Sequence, residues 1–198
     1  SLSEALAAGV RRIARLSDQL DFLARRDFGP EEMLDGPELI RDGFDAASDH
    51  AGLASVQLQL EAPEFSLRGH RRALRHAFME VLLNALQAAP DRPEVSAEVE
   101  LLPRNGHGPR AAIEICDAGP GFSQETLARW AEPLRSTRTV GLGLGLASAR
   151  SILAAHGGSL SPGGSAGHGG GRVRIILPCP AANDLSAPVT VTTKGRSQ

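Results

Sequence analysis

The 198-residue sequence holds only two cysteines, Cys116 and Cys179, whose spacing suggests neither a disulfide framework nor a zinc site. Cys116 closes an apolar, strand-like run, which predicts a buried free thiol compatible with a reducing, cytosolic setting. No apolar run approaches the roughly 20 residues that a membrane helix needs, and no secretory signal is present. Nor does one charge dominate. Lys and Arg number 21 against 23 Asp and Glu, a net charge of −2, so neither nucleic acid nor an anionic membrane is expected as the main partner. There is no internal repeat. What remains, 41% hydrophobic and 22% charged, is ordinary globular composition and long enough for one medium domain plus an appendage. The chain opens on Ser1 rather than methionine, so it is read as part of something longer, with any sensory or membrane region upstream.

From Leu2 to Leu23 the apolar residues keep a seven-residue rhythm. Leu6, Ile13 and Leu20 form one row; Leu2, Leu16 and Leu23 form its companion, interrupted by Gly9. Arg11, Arg12, Arg15, Asp18 and Asp21 fall outside both rows. The pattern predicts a coiled-coil-like helix of about three heptads. Alone it would not be stable in water, so it is expected to pair with another copy or a further segment; the alternative is an amphipathic helix folded back on its own domain. Gly29-Pro30 ends it, and the boundary is placed there: 1–29 helical appendage, 30–180 main domain, 181–198 a polar tail expected to be disordered. Within the main domain a short helix puts Leu39, Ile40 and Phe44 inward, and "VQLQL" (56–60) reads as a half-buried strand. Residues 70–89 read as a helix. "VSAEVELL" (95–102) and "AAIEIC" (111–116) read as adjacent antiparallel strands, 117–141 as irregular, and "RVRIILP" as a final strand after a glycine-rich hairpin. The order is α+β, with helices on one face of a sheet.

Three features carry chemistry. In "VGLGLGLASAR" (140–150), Gly141, Gly143 and Gly145 precede a helix. Helix N-termini present free N–H groups and bind anions, and glycines let phosphate oxygens approach the amides, while Leu142, Leu144 and Leu146 pin the segment to the core. A plain flexible turn would look the same. In "ICDAGPGF" (115–122), Asp117 ends a strand ahead of Gly119 and Gly121. Its carboxylate could accept a hydrogen bond from an exocyclic amine such as that of adenine, or merely bond its own turn. In "RHAFMEVLLNALQAA" (75–89), His76, Glu80 and Asn84 recur every four residues and share a face. An Asn inside a helix carries a propensity cost that is easier to understand if its amide oxygen binds something, such as magnesium beside triphosphate oxygens.

In this order the features resemble the GHKL ATPase/kinase superfamily, and most closely the catalytic ATP-binding domain of two-component sensor histidine kinases. "EVLLNA" resembles the N box, "DAGPGF" the G1 box, "EPLRSTR" the F-box region and "GLGLGLA" the G2 box, over roughly 31–179. "RRIARLSDQLDFLARRD" resembles the second helix of the family's dimerisation and histidine-phosphotransfer bundle. The resemblance implies a two-layer α/β sandwich of the Bergerat type, a mixed sheet with helices on one face, preceded by one long coiled-coil-like helix. It implies that Asn84 ligates magnesium, that Glu80 lies near the metal-bound waters and γ-phosphate, and that Asp117 binds the adenine amine in a pocket shaped by Gly119 and Gly121. Gly141, Leu142, Gly143, Leu144 and Gly145 would close on the phosphates, residues 122–140 would form a lid, and Arg138 would lie near the γ-phosphate; Ser136 and Thr137 would supply hydroxyl contacts or belong to a solvated loop. Three positions depart from the pattern. Ala131 replaces a phenylalanine, leaving lid anchoring to Trp130 or Leu134; Gln87 replaces a basic residue; Gly171 replaces a threonine ahead of the last strand.

The resemblance further implies ATP and magnesium as ligands, a phospho-accepting histidine helix and a response regulator as partners, a homodimer formed through the N-terminal helix, no nucleic acid, and a cytoplasmic location. A histidine kinase needs a histidine followed by an acidic residue. His50, His70, His76, His107, His156 and His168 are followed by Ala, Arg, Ala, Gly, Gly and Gly, so the acceptor is expected on a helix ahead of Ser1 and this chain is expected not to phosphorylate itself. Two other readings stay open: an ATPase or serine kinase with Glu80 as base, and a non-catalytic nucleotide-binding module.

Overall fold

A computed structural model of the chain describes every residue except 1, 25–27, 54, 92, 104–107, 129, 131–143, 164–169 and 181–198. The expected tail and most of the expected lid therefore lie outside the described residues. Five strands, β2 (Leu58–Glu61), β4 (Val95–Leu102), β5 (Arg110–Asp117), β6 (Ser159–Pro162) and β7 (Arg172–Pro178), form one sheet in the order β2-β4-β5-β7-β6. β2 runs parallel to β4 and the other neighbours are antiparallel, so the sheet is mixed, as expected. A second, two-stranded sheet pairs β1 (Glu32–Asp35) with β3 (Ser66–Gly69). It has no counterpart in the sequence reading: four residues are too few to show a period. The helices are α1 (Leu2–Ala24), α2 (Gly36–Ala51), α3 (Arg71–Leu86), the short α4 (Gln124–Ala128) inside the stretch read as irregular, and α5 (Gly145–Ala155).

The sheet's two faces follow from alternation. Along β7, Val173, Ile175 and Leu177 are buried on one side, while Arg172 and Arg174 point to the other and reach Glu114 of β5 at 3.1 and 3.5 Å. The apolar side carries the helices. α3 supplies Phe78, Leu82, Leu83 and Leu86, all but fully buried against it. α2 is delimited by its own chemistry: Asp35 accepts a hydrogen bond from the Glu38 N–H at 2.7 Å, Pro37 fits the first turn, and Gly52 closes the end with a left-handed φ of 71°. Leu39, Ile40 and Phe44 point inward as expected. Cys116 does not match its expectation, because its β5 position is only half-buried; Cys179 is the buried thiol. Burial pushes both thiols above their ordinary range.

α1 has two working faces about 180° apart. Leu6, Val10, Ile13 and Leu20 are more than half exposed, so the Leu6–Ile13–Leu20 row of the seam is uncovered, while Leu16 of its companion row is half-buried. On the opposite side Arg15, Asp18, Gln19 and Phe22, at i, i+3, i+4 and i+7, face the rest of the molecule. Phe22 joins the core at 4% exposure, and Asp18 pairs with Arg72 of α3 at 2.9 Å. The alternative of a helix folded back on its own domain therefore describes the Arg15–Phe22 face. Beyond α1, the chain is tied down by a ring cluster: His70 Nε2 lies 2.5 Å from the Gly29 carbonyl oxygen, His70 Nδ1 lies 3.0 Å from His156 Nε2, and Phe28 stacks on His156. His156 is the C-cap of α5.

Candidate functional site

The last two turns of α3 act as a rail. Glu80 and Asn84, four residues apart, line one face, and Ala88 continues it in the turn just beyond the helix end. Glu80 touches the first turn of α5: a Cβ added at Gly145 would run into Oε2 of Glu80, so glycine is required there by close approach. At the other end a Cβ added at Gly119 would lie 2.7 Å from Cβ of Ala88, which puts the loop after β5 against the end of α3. Half-buried Asn84 lies between these two junctions. The start of α5, the loop after Asp117 and the Asn84 face therefore converge along one helix. The N-cap of α5 is Leu144, with no side chain capping the helix, which leaves its first amides to other partners.

Asp117 stands at the end of β5. Its Oδ1 accepts hydrogen bonds from the Gly119 N–H at 2.8 Å and the Gly171 N–H at 3.0 Å. The carboxylate is thus fixed between two loops. The absent side chain at Gly171 matters here, because a Cβ would collide with Asp117 Oδ2; the glycine that departs from the resemblance is the one this carboxylate position needs. Gly121 adopts a left-handed φ of 76° in the same turn. Trp130 packs edge-on to Phe122, with ring centroids 4.9 Å apart. Gly141, Leu142, Gly143, Ser136, Thr137, Arg138, Ala131 and Leu134 lie outside the described residues.

Glu80 has partners that the sequence reading missed. Its carboxylate is wholly buried and receives a bidentate fork from Arg15 of α1, Nε to Oε1 at 2.9 Å and Nη2 to Oε2 at 2.5 Å. The Gln19 side-chain N–H donates to Oε1 at 2.7 Å. Arg15 lies off the apolar seam, and Gln19 carries no signal of its own in the sequence. The available signal was their common face with Phe22, an aromatic residue away from that seam. His76, one turn before Glu80, is buried against the Phe22 ring at a centroid distance of 4.5 Å, and its Nε2 has no hydrogen-bond partner, 3.6 Å from Glu80 Oε1.

Burial drives the His76 pKa below the ordinary 6.5, with the Glu80 carboxylate opposing; burial also lowers His156. In the unfolded chain both rings protonate as pH falls through about 6.5, while in the folded chain they resist. Both depressed values therefore cost stability on the acid side and nothing above pH 7. Thermal unfolding should show a midpoint that is flat from pH 7 to 8 and falls from pH 6.5 to 5.5. The expected slope is about 1 kcal/mol per pH unit, and His76→Gln should shallow it.

A family model described as histidine kinase-, DNA gyrase B- and HSP90-like ATPase matches residues 69–181. The chain belongs to this ATPase family. The match runs from the start of α3 through β7, taking in both junctions on the rail, and leaves α1 outside. Among curated relatives, the C4-dicarboxylate transport sensor protein DctS of Rhodobacter capsulatus is 27% identical over 180 residues, 89% of this chain and 27% of its own length. The sensor protein DctB of Pseudomonas aeruginosa is 30% identical over 170 residues, 84% of this chain and 27% of its own. The chain thus spans about a quarter of the length of these relatives. Among solved structures, full-length ShkA in complex with AMPPNP superposes with a TM-score of 0.66 at 22% identity, over 85% of this chain and 35% of that one; the likeness is one of fold. No helix among the described residues of this ATPase-family chain is long and apolar enough to cross a membrane.

Proposed function

We propose that this chain is the ATP-binding catalytic part of a sensor histidine kinase, binding ATP with magnesium and handing the γ-phosphoryl group to a histidine. The observation that carries the reading is the convergence on α3 of three unlike groups: a fixed carboxylate at Asp117, an amide at Asn84 and the uncapped start of α5. Asp117 Oδ2 is the oxygen an adenine amine would meet, since both backbone bonds fall on Oδ1. The α5 amides and Gly141, Gly143 and Gly145 would face the phosphates, with Ser136, Thr137 and Arg138 closing over the γ-phosphate. No group of three His, Cys, Asp or Glu among the described residues could hold a metal by itself. Magnesium would therefore be held by the Asn84 oxygen and the nucleotide's own phosphates, a donor set that suits a hard cation. When bound it supplies charge neutralisation to the transferring group. The rest is positioning.

The acceptor is read as a histidine outside this chain's six. His50 bonds the Ala46 carbonyl, His70 and His156 hold each other, and His76 is buried under Phe22; none precedes an acidic residue. The uncovered seam of α1 is the surface through which a second copy would bring its bundle helix, giving a homodimer that then serves a response regulator on the cytoplasmic side. The competing reading, with Glu80 as a base for water, is disfavoured by the Arg15 fork that occupies both of its oxygens. Calorimetry tests the proposal: ATP should bind only weakly without magnesium and far better with it, and GTP should bind worse than ATP. Asp117→Asn keeps an oxygen for the two loop amides but loses the charge. It should weaken ATP about tenfold, the scale of one charge-assisted hydrogen bond, and narrow the gap to GTP. Equal affinity for ATP and GTP in the unaltered protein would remove the role given to Asp117.

A further inference from the structure

We infer that α1 completes the nucleotide site: Arg15, gripped by the buried Glu80 carboxylate beside the first turn of α5, cancels that charge where the triphosphate would lie, so that α1 docking and ATP binding favour one another. The inference rests on the nucleotide reading above and adds to it a residue outside the matched family region. Three observations support it. The Glu80 carboxylate is fully buried and abuts Gly145, at the end of the glycine segment. A bare carboxylate there would repel an incoming polyanion, and repulsion between buried charges is weakly screened. Among the described residues its guanidinium partner comes from α1: Arg15 Nη2 lies 3.4 Å from the position a Gly145 Cβ would take, so the cation reaches the start of α5 together with the anion it neutralises. Gln19, Phe22 and the Asp18–Arg72 pair hold the helix in the register that delivers this fork.

Coupling between two binding events is reciprocal. If docked α1 raises affinity for the triphosphate, the triphosphate must hold α1 more firmly. Adenosine, which has no phosphates, should do neither. The test measures ATP·Mg and adenosine affinities by calorimetry for the unaltered chain, Arg15→Ala, Arg15→Lys, Glu80→Gln and the Arg15→Ala/Glu80→Gln double variant, with hydrogen exchange of α1 amides followed alongside. Arg15→Ala should weaken ATP about tenfold and leave adenosine unchanged. Arg15→Lys, which keeps the charge without the fork, should stay within about threefold of the unaltered chain. Glu80→Gln should tighten ATP, and the double variant should recover most of what Arg15→Ala loses. ATP, but not adenosine, should slow exchange in the Arg15–Phe22 stretch. Equal weakening of ATP and adenosine by Arg15→Ala marks a merely structural role and overturns the inference, as does unchanged ATP binding. An unaltered chain that binds neither ligand overturns the nucleotide reading itself, whereas one that binds both, with no phosphate-specific effect of Arg15, overturns only the role of α1.

Discussion

Asn84→Ala is expected to abolish the magnesium-dependent part of nucleotide affinity, about a 100-fold loss or more. Removing a first ligand of a metal held by few protein groups costs at least what the loss of a supporting shell does, 10–100-fold. Here, Asn84 is the only side chain to which the proposed site assigns magnesium. The substitution should leave folding intact, because alanine is the better helix former and Asn84 is only half-buried. The effect should therefore vanish when affinity is measured in EDTA, where both proteins are expected to bind ATP with similar weakness. Calorimetry at saturating and zero magnesium separates the two contributions. A loss of equal size in both conditions would make Asn84 a packing residue and sink the assignment.

The largest effect on stability is expected at Phe78. Its ring is fully buried midway along α3, where the Phe78 Cβ lies against Gly43 of α2, and deleting it leaves a cavity that the packed helices cannot close. The expected cost is about 3–5 kcal/mol, a large share of the 5–15 kcal/mol typical of a domain. Urea unfolding should show a lowered midpoint with little change in slope. Leu101→Ala is the control: that residue of β4 is 44% exposed, and its loss should fall within about 0.5 kcal/mol. Because α3 also carries Glu80 and Asn84, nucleotide affinity in Phe78→Ala reports whether the rail holds its shape once loosened.

Much of this was legible in the sequence for identifiable reasons. β4 alternates over its first six residues, β5 is a short apolar run bounded by turn residues, and α3 and α5 bury apolar faces at helical spacing, so these elements are located by pattern. The glycine segment, the Asp117 turn and the Asn84 helix were legible because each places a polar or flexible residue next to an apolar strand or helix run. The pair β1–β3 was not legible, since four-residue strands carry no period and are stabilised by what they lie on. The partners of Glu80 were hidden for a different reason. Arg15 and Gln19 are 65 and 61 residues away, and a charged residue on a helix reads as solvated until the structure shows what it faces. His76 and Glu80 also look like a wet stripe on an apolar helix, and only the docking of Phe22 turns that stripe inward. Asp117 shows the reverse: its backbone-bonding and ligand-facing readings were offered as rivals, yet its two loop bonds use one oxygen and leave the other oriented by them.

The back-to-back arrangement of α1 makes it a mechanical cam. Successive residues on a helix are set 100° apart, so a twist of that size, applied through the leucine seam by whatever grips it, would swing the guanidinium fork away from its carboxylate without bending the helix or lengthening it.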